Sequence, residues 1–188
     1  MIKIKTGDII NFSWNSWHGS FIKLHNYIRY GYSPQNKWTH SGIVVKTTKS
    51  DITVYEALKE GFVERVYKKE TLNQWYEEKR IAVGTPNKPL ITVKAYADKY
   101  LGAPYGWLDI FSIILYTLFG KLSFYISTGS KQLICSEAVA RILYDSSQKK
   151  INFEKEFNKR YDLITPIDLY KSKRITWYYN LSQNKKKG

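Results

Sequence analysis

The stretch "WTHSGIVVKTTKSDITVYEAL", residues 38–58, decides the fold class of this chain. Its two halves, "WTHSGIVVK" and "DITVYEAL", are rich in β-branched residues, and the polar residues "TTKS" separate them. Two such runs with a short polar break predict a β-hairpin. We therefore expect an antiparallel sheet that is built outward from this hairpin.

The same hairpin brings a histidine towards a glutamate. If it closes between Val45 and Ile52 with an odd number of loop residues, centred on Thr48, then His40 lies directly opposite Glu56. Directly opposed side chains have Cβ atoms about 4.5–5.5 Å apart, which allows an imidazole–carboxylate hydrogen bond. A register shift of one residue turns the glutamate to the other face of the sheet. The alternative is an ordinary strand histidine and a solvent-facing strand glutamate.

Outward from the hairpin, alternating and helical apolar patterns predict the remaining elements. Further strands are expected in "IKIKTGDIINF" (2–12), "FVERVY" (62–67) and "KRIAVGT" (79–85). Helices are expected at 16–30, 69–78, 89–102, within the apolar stretch 107–126, from residue 135 onward, and at 165–172. The sum is an α+β fold in which helices pack against one antiparallel sheet. Because no repeat or linker interrupts it, we expect a single domain at 1–180 and a basic tail at 181–188.

Two of these helices have boundary or face signals. In the first, apolar residues recur at spacings of four, three and four, which defines one helix face: Trp17, Phe21, Leu24 and Ile28. Gly31 is placed to end that helix, and His25, one position from the apolar stripe, is expected at the surface or boundary. In the last helix, Thr165 is the expected N-cap, Pro166 the first helical residue, and Asp168 lies in the first turn.

Composition limits the class of protein and of partner. Hydrophobic residues make up 43% of the 188 residues, which predicts a folded chain, and one cysteine excludes an internal disulfide. The formal net charge of +14 favours anionic partners such as nucleic acid, acidic lipid headgroups or anionic cell-wall polymers. No nucleic-acid-binding motif accompanies the charge. A soluble basic surface is therefore a better interpretation than a dedicated nucleic-acid site. An anionic lipid or polymer surface stays open as a partner, as does the oligomeric state.

The apolar stretch 107–126 raises the question of a membrane span. Its uncharged core, 110–120, lies between Asp109 and Lys121 and is about half of the roughly 20 residues that a bilayer span requires. A buried or interfacial helix is the better interpretation, with bilayer-surface contact as the alternative, because aromatic residues crowd its ends. The N-terminus lacks a signal-peptide pattern. These features predict a cytoplasmic or virion-associated protein.

The only cysteine, Cys135, lies where an apolar approach meets the start of a helix, "CSEAVARIL". The free N–H groups and the dipole at a helix N-terminus favour a thiolate, the reactive form. The alternative is a small buried core residue, and the neighbouring Glu137 opposes thiolate formation. We therefore treat the thiol as a candidate nucleophile that needs a base.

Three histidines are available as that base: His18, His25 and His40. His40 is the best candidate, because it begins a strand and Gly42 two residues later permits a close backbone approach. A Cys–His pair is commonly distant in sequence and joined only by the fold. Neither HExxH, CxxC, a P-loop nor GxGxxG occurs, so no metal ion or cofactor is expected. The acidic pair Glu77 and Glu78 is typical of a solvated helix face.

The ordered motifs resemble a known family. "GDIINF", "WTHSGIVV", "VYEA", "LGAPYGWLDI", "LICSEAVARIL" and "TPIDLY" occur in the order seen in circularly permuted NlpC-type papain-like hydrolases, the YiiX-like group, over residues 7–170. The resemblance implies a permuted papain-like fold, with a small antiparallel sheet or barrel packed by the cysteine helix. It assigns the nucleophile to Cys135, the base to His40 and the third polar residue to Glu56. The tyrosine of the family's GxPY motif corresponds to Tyr105.

One position departs from this family. The family carries an aspartate after the motif tyrosine, whereas this chain has Gly106 there and Asp109 three residues later. The substrate side of the site is therefore less defined than the triad.

The resemblance implies a cysteine amidase or peptidase that acts on cell-wall peptides or related amides through a thioester. Its expected substrate is a peptide or an amide-containing small molecule, such as a peptidoglycan fragment. Two alternatives stay open at this point. One is a lipid acyltransferase or thioesterase at a membrane surface, and the other is a non-enzymatic virion component that retains the scaffold.

Overall fold

A six-stranded antiparallel open sheet with helices packed against it forms the core of the computed structural model, as expected for the α+β class. The structure describes residues 2–14, 17–108, 110, 113, 115, 117 and 132–178. The strands are β1 (Ile9–Phe12), β2 (His40–Thr47), β3 (Asp51–Leu58), β4 (Gly61–Lys68), β5 (Ile81–Pro86) and β6 (Ile175–Tyr178), in the spatial order β4-β3-β2-β1-β5-β6. The helices are α1 (Trp17–Tyr30), α2 (Lys69–Glu77), α3 (Val93–Asp98), α4 (Cys135–Ser146), α5 (Phe153–Phe157) and α6 (Pro166–Lys171).

Both faces of the sheet are apolar because successive side chains of a strand point to opposite faces. One face carries Ile9, Ile43 and Tyr55, and it is covered by α4 through Val139 and Ile142. The other face carries Ile10, Val44 and Val54, and α2 contributes the fully buried Leu72 to it. The sheet is therefore the central layer of the fold. The start of α4 meets it at the first residues of β2.

The register of the central hairpin differs from the expected one by two residues. Glu56 of β3 lies opposite Gly42 of β2, and not directly opposite His40. The expected direct pairing of His40 with Glu56 is therefore wrong. A shift of two residues keeps both side chains on the same face, because the side-chain period of a strand is two.

A β-bulge at Val45 produces this register. At the loop end of the hairpin Thr47 lies opposite Ile52, so the connection 48–51 has an even number of residues, against the expected odd number. Continued without interruption, that pairing would place Glu56 on the opposite face from His40. The irregularity between Val44 and Lys46 adds one residue to β2 and restores the common face.

Helix α1 forms where the sequence predicts it, but the face that carries Leu24 and Ile28 is turned towards solvent and not towards the core. It ends at Gly31, which has φ = 74°, and the Gly31 N–H bonds to the carbonyl of Tyr27. The expectation that His25 lies at the surface or boundary is wrong, since His25 is 2% exposed. Leu24 and Ile28 of the predicted apolar stripe are instead 49% and 46% exposed.

Polar hydrogen bonds explain this rotation. The buried Asn26 side chain donates from Nδ2 to the carbonyls of Asn36 and Trp38, at 2.9 and 3.1 Å. His25 Nδ1 lies 2.5 Å from Thr117 Oγ1. Once these polar groups are buried, losing their partners costs more than exposing two aliphatic side chains. The polar face of α1 therefore turns inward.

Some element boundaries also differ from the sequence prediction. Residues 2–5 do not form a strand, because the turn at Gly7 takes the backbone N–H of Lys5 to the Asp8 carboxylate at 2.8 Å. The helix expected from Pro89 begins at Val93, after Thr92 in a left-handed conformation with φ = 43°. Strand β6 and helix α5 were not predicted.

The last helix matches its prediction closely. In α6 the Thr165 side chain and the Asp168 carboxylate form a reciprocal capping box, and Pro166 is the first helical residue. The Asp168 Oδ2 atom accepts the Thr165 N–H at 2.9 Å.

Only part of the apolar stretch 107–126 is described. Its described positions, 107, 108, 110, 113, 115 and 117, are helical. Asp109, Lys121 and the expected tail at 181–188 lie outside the described residues, as does the side chain of His18. Within the described ranges, no helix has both the length and the apolar character needed to cross a membrane.

Candidate active site

Cys135 is the first residue of α4, and the chain before it is extended. Ile134 has φ = −92° and ψ = 159°, and its carbonyl accepts the Ala138 N–H at 3.0 Å. No described side chain caps this end of the helix. The thiol is 6% exposed and lines a cavity, so it lies at the boundary between the core and the solvent. This position gives the sulfur both the helix dipole and access for a substrate.

Three side chains form one hydrogen-bonded chain at the start of β2. The His40 imidazole hydrogen-bonds to the Cys135 thiol. Its Nε2 atom lies 2.6 Å from Glu56 Oε2. The structure thus brings together the cysteine, histidine and glutamate that the sequence singled out.

The pKa values of the pair move in opposite directions. Burial by itself would raise the pKa of the Cys135 thiol, but the charge and hydrogen bond of His40 lower it overall. Burial would likewise lower the pKa of His40, whereas the Cys135 thiolate and Glu56 raise it overall. Both shifts favour a thiolate beside an imidazolium, which is the reactive form of a cysteine nucleophile.

Backbone groups also stabilise the thiolate. The N–H groups of Ser41 and Ser136 hydrogen-bond to the Cys135 sulfur and lower its pKa. Both serine side chains are fully buried, where Ser136 Oγ donates to the carbonyl of Ile164 at 2.6 Å, and Ser41 Oγ donates to Asn11 Oδ1 at 2.6 Å. These side-chain bonds hold the two backbone donors in place around the sulfur.

Glu56 is fully buried and has a second partner. The Tyr67 hydroxyl donates to Glu56 Oε1 at 2.6 Å, while Oε2 faces His40. Burial, and then the Glu56 charge, raise the pKa of the Tyr67 hydroxyl, so it stays a proton donor. The carboxylate is therefore held at both oxygens and cannot rotate away from the imidazole.

Gly42 makes the diagonal contact between His40 and Glu56 possible. A Cβ atom at this position would lie 2.5 Å from Val54 Cγ1 and 3.4 Å from Glu56 Cβ. Any larger residue would push β3 away from β2. Diagonal neighbours across a strand pair are within reach of long side chains, provided that the strands approach normally.

Two aromatic rings cover the imidazole. Trp14 stacks on His40 with ring centroids 4.4 Å apart and an interplanar angle of 12°, and Phe12 lies at 5.5 Å. Thr39 Oγ1 accepts a hydrogen bond from the backbone N–H of Trp14 at 2.9 Å, which holds the tryptophan over the imidazole ring. This cover excludes water from the His40–Glu56 bond and strengthens it.

Tyr105 lines the same cavity as Cys135. Its backbone is held by a short bridge, in which the Leu133 N–H bonds to the carbonyl of Pro104 and the Gly106 N–H bonds to the carbonyl of Leu133. Burial, and then the negative charge of the Cys135 thiolate, raise the pKa of the Tyr105 hydroxyl. The hydroxyl is therefore protonated at neutral pH and can donate a hydrogen bond into the cavity.

The cavity beside the sulfur measures about 90 Å³ and is mainly apolar. The apolar residues of its lining include Trp14, Ile22, Ala57, Leu58, Ile110 and Ile134. Lys59 is the one charged side chain among its described lining residues besides the histidine. Across the described residues, no group of three or more His, Cys, Asp or Glu side chains is arranged to hold a metal ion.

The other sequence candidates take different roles. His25 bonds to Thr117, and burial followed by the nearby Lys159 charge lower its pKa to about 4. Glu137 pairs with Arg141 at 2.8 Å, which offsets the carboxylate charge that the sequence placed beside the thiol. Glu78 bonds to Gln74 and Arg80 at the surface.

Sequence reasoning missed Trp14, Tyr67 and the backbone donors at Ser41 and Ser136. None of these has a local signal, because each reaches the site through strand register or loop path. Tyr67 of β4 lies opposite Ile52 of β3 and not opposite Glu56, so its hydrogen bond to Glu56 does not follow from direct strand pairing.

Sequence comparison identifies no relative that would assign this chemistry: no protein-family model matches the chain, and no curated protein matches it. The side chains and backbone donors around Cys135 are therefore the basis for its assignment.

Proposed function

We propose that this protein is a cysteine hydrolase of the amidase or peptidase type. The observation that carries the proposal is the continuous hydrogen-bonded chain from Cys135 through His40 to Glu56, at a helix start that faces a cavity. The order of the sequence motifs, which resembles the permuted NlpC-type hydrolases, supports the same assignment. A thiol that only filled the core would need neither an imidazole partner nor a buried carboxylate behind it.

The reaction begins with a thiolate–imidazolium pair. His40 takes the thiol proton, and the Cys135 sulfur attacks the carbonyl carbon of an amide. Glu56 stabilises the imidazolium and holds its orientation, with Tyr67 fixing the carboxylate. The product of this attack is a tetrahedral intermediate whose oxygen carries a negative charge.

The backbone N–H of Cys135 and the Tyr105 hydroxyl are the donors proposed for that oxyanion. Each donor of this kind is typically worth about 3–4 kcal/mol of transition-state stabilisation. Tyr105 suits the role because its hydroxyl keeps its proton beside a thiolate. The uncapped helix start suits it because its N–H groups point along the helix axis towards the developing charge.

Collapse of the intermediate breaks the carbon–nitrogen bond. The His40 imidazolium gives its proton to the leaving amine, and the acyl group stays on the Cys135 sulfur as a thioester. His40 then takes a proton from water, which attacks the thioester and releases a carboxylic acid. The thiol is regenerated, so no external co-reactant besides water is needed.

The proposed substrates are cell-wall peptides or related amides. The cavity supports a small or apolar acyl group beside the sulfur, and the Lys59 ammonium at its edge suits a carboxylate on the substrate. Peptidoglycan stem peptides carry such carboxylates next to amide bonds.

Intact mass spectrometry tests the proposal. The protein is incubated with an electrophilic acyl probe and, separately, with peptidoglycan fragments. The mass of the protein in each sample shows whether a covalent adduct has formed. The expected result is one adduct per chain on Cys135, its loss in Cys135→Ala, and competition by a fragment that is hydrolysed. No adduct at neutral pH, or equal labelling of Cys135→Ala, would refute the nucleophile assignment.

A second candidate function is acyl transfer or thioester hydrolysis on lipids, which uses the same chemistry on an ester. The specific observation in its favour is the apolar lining of the cavity together with the exposed aliphatic and aromatic residues of the neighbouring helix α1. Release of fatty acid from lipid vesicles, in the absence of amide cleavage, would favour this candidate over the first.

A further inference from the structure

Helix α1 presents an apolar face to the outside of the molecule. Leu24 and Ile28 are 49% and 46% exposed, Tyr27 is 56% exposed, and Phe21 is 39% exposed. The opposite face of the helix is buried although it carries two polar side chains, His25 and Asn26. An ordinary surface helix has the reverse distribution.

Hydrogen bonds make this orientation a fixed feature of the fold. Asn26 bonds to two backbone carbonyls of the following loop, and Asn36 in turn donates to the carbonyls of Tyr30 and Gly31 at the end of the helix. Rotating the helix to bury Leu24 would break these bonds. The apolar residues are therefore held outward by the structure.

The exposed surface continues beyond the helix. Tyr32 is 89% exposed, and its ring lies 6.4 Å from that of Tyr27 in an edge-on contact. A shallow groove runs along Leu24, Tyr27, Tyr32 and Pro34. We call Phe21, Leu24, Tyr27, Ile28 and Tyr32 the α1 face.

The charged residues in the chain segment that carries this face all have one sign. From residue 9 to residue 50 the chain contains no Asp or Glu. Lys23 and Lys37 line the groove of the α1 face, and Arg29 lies in the last turn of the helix. The whole chain carries a formal charge of +14. A surface of this kind complements a negatively charged partner.

We propose that the α1 face docks on an anionic lipid bilayer. A helix with aliphatic and aromatic residues on one side and basic residues beside them is the pattern of helices that lie in the membrane interface. Tyrosine is enriched at that depth, and each lysine or arginine near an anionic surface adds attraction. A protein partner would need complementary acidic and apolar groups in a fixed shape, whereas a bilayer needs only the composition found here.

Docking on α1 brings the bilayer close to the proposed active site. Gly19 and Ile22 of the same helix line the cavity that holds Cys135. Trp107 and Leu108, next to Tyr105, are 39% and 44% exposed. The cavity therefore opens beside apolar surface, and its substrate is one presented at the membrane, such as a lipid-linked amide or ester. This statement about the substrate rests on the proposed function, whereas the docking itself does not.

The test measures vesicle binding by the full chain. The protein is sedimented with vesicles of phosphatidylcholine alone and with vesicles that also contain phosphatidylglycerol, whose negative surface attracts basic residues. We expect binding to the anionic vesicles, weakened by salt because exposed charges are screened. Leu24→Ser with Ile28→Ser removes two apolar anchors and is expected to weaken binding by about tenfold or more. Lys23→Gln with Lys37→Gln is expected to remove the preference for anionic lipid.

Matched controls separate docking from folding and from catalysis. Ile91→Ser with Leu101→Ser changes two residues that are 45% and 43% exposed outside the α1 face, and it is expected to leave binding unchanged. Cys135→Ala is also expected to bind normally, so a failed nucleophile assignment would not mimic a failed docking site. Thermal melting confirms that each variant is folded.

Three outcomes would overturn the proposal. The first is that the wild-type chain does not sediment with anionic vesicles. The second is that the folded Leu24→Ser and Ile28→Ser variant binds as tightly as the wild type. The third is that light scattering finds a wild-type dimer that this variant converts to a monomer, which would make a second copy of the chain the occupant of the α1 face.

Discussion

His40 and Glu56 bond to each other diagonally across two strands, with Gly42 filling the position directly opposite the glutamate. The imidazole therefore reaches past a residue that has no side chain. This arrangement makes the contact depend on how closely β2 and β3 approach, and Gly42 controls that approach.

Gly42→Ala is expected to disrupt the site without changing any residue of the triad. The new Cβ would lie 2.5 Å from Val54 Cγ1, so the Val54 side chain or β3 must shift, and we expect the His40–Glu56 bond to lengthen. Overpacking of a core typically costs about 1–3 kcal/mol of unfolding free energy. Chemical denaturation and the labelling rate of Cys135 measure the two effects.

The double variant Gly42→Ala with Val54→Ala is the control, because it removes the methyl group that clashes. Its labelling rate is expected to recover above that of Gly42→Ala alone, although the loss of valine itself weakens the core. Labelling equal to the wild type in the single variant would contradict the role given to Gly42.

Cys135→Ala is expected to abolish turnover and adduct formation while the fold is retained. The thiol is small and lies at the edge of the core, so its replacement leaves most of the packing of α4 intact. Cys135→Ser keeps the size and a hydroxyl, but an alcohol is a far weaker nucleophile beside an imidazole tuned to a thiol. Chromatography measures product formation by both variants, and the melting temperature shows whether they are folded. Wild-type activity in either variant would exclude the thioester route.

Glu56→Gln and Tyr67→Phe rank the two supports of the imidazole. The first removes the carboxylate charge that stabilises and orients the imidazolium, and rate losses of about 10⁴-fold are known for the equivalent change in a catalytic triad. The second removes one hydrogen bond to a charged group, which is worth about 1.5–3 kcal/mol. We expect the wild type to react fastest with the same acyl probe, Tyr67→Phe to react more slowly, and Glu56→Gln to react slowest. A Glu56→Gln rate above that of Tyr67→Phe would show that the carboxylate does not orient His40.

Alkylation of Cys135 by iodoacetamide reports the state of the thiol. Because the pKa of the thiol is lowered, its reaction at pH 6–7 is expected to exceed that of a free thiol, by about tenfold in thiolate fraction for each unit of lowering. The lowering comes chiefly from His40, and burial alone acts in the opposite direction. His40→Gln is therefore expected to make Cys135 less reactive than a free thiol at neutral pH. Rates that do not differ between wild type and variant would exclude the ion pair.

His25 is expected to make the fold acid-sensitive above the range of ordinary carboxylates. Burial, and then Lys159, lower its pKa from the usual 6.5 to about 4, so between these values the unfolded chain binds a proton that the folded chain does not. Stability is then complete above pH 6.5 and is lost as the pH falls towards 4, by about 3 kcal/mol from this group. Asp168 opposes the shift, and its own lowered pKa places its titration further into the acid range.

His25→Asn is expected to flatten this pH dependence while it retains a polar contact near Thr117. Urea unfolding at pH 7 and at pH 4.5 gives the two free energies. An equal loss in the wild type and the variant would assign the acid sensitivity to another group.

Cys135, His40 and Glu56 could be singled out from the sequence because each had its own local signal. Cys135 begins a helix after an extended run, His40 begins a β-branched strand, and Glu56 lies at a matching position in the next strand. The number of residues in the hairpin loop was not predictable. The even loop would by itself turn Glu56 to the opposite face from His40, and the bulge at Val45 turns it back. The contact was thus expected for a register that the chain does not use.

The orientation of α1 shows the limit of periodicity. Apolar spacing identifies the residues that share a face, as it did for Leu24 and Ile28, but it does not say which face is buried. That choice depended on Asn26 and His25, whose partners lie in a later loop and at Thr117. Trp14 could not be predicted for the same reason, because its position over His40 depends on the path of a loop held by Thr39.

The chain order of the site has a consequence for biosynthesis. The hairpin that carries His40 and Glu56, together with Tyr67 on the next strand, leaves the ribosome well before α4. His40 and Glu56 are thus synthesised before Cys135, which joins them when α4 packs on the strands β1–β5 that precede it in the chain. In the proposed mechanism, a nascent chain that stalls before residue 135 therefore has the base and the carboxylate but no nucleophile, and it is expected to form no acyl adduct until Cys135 is added.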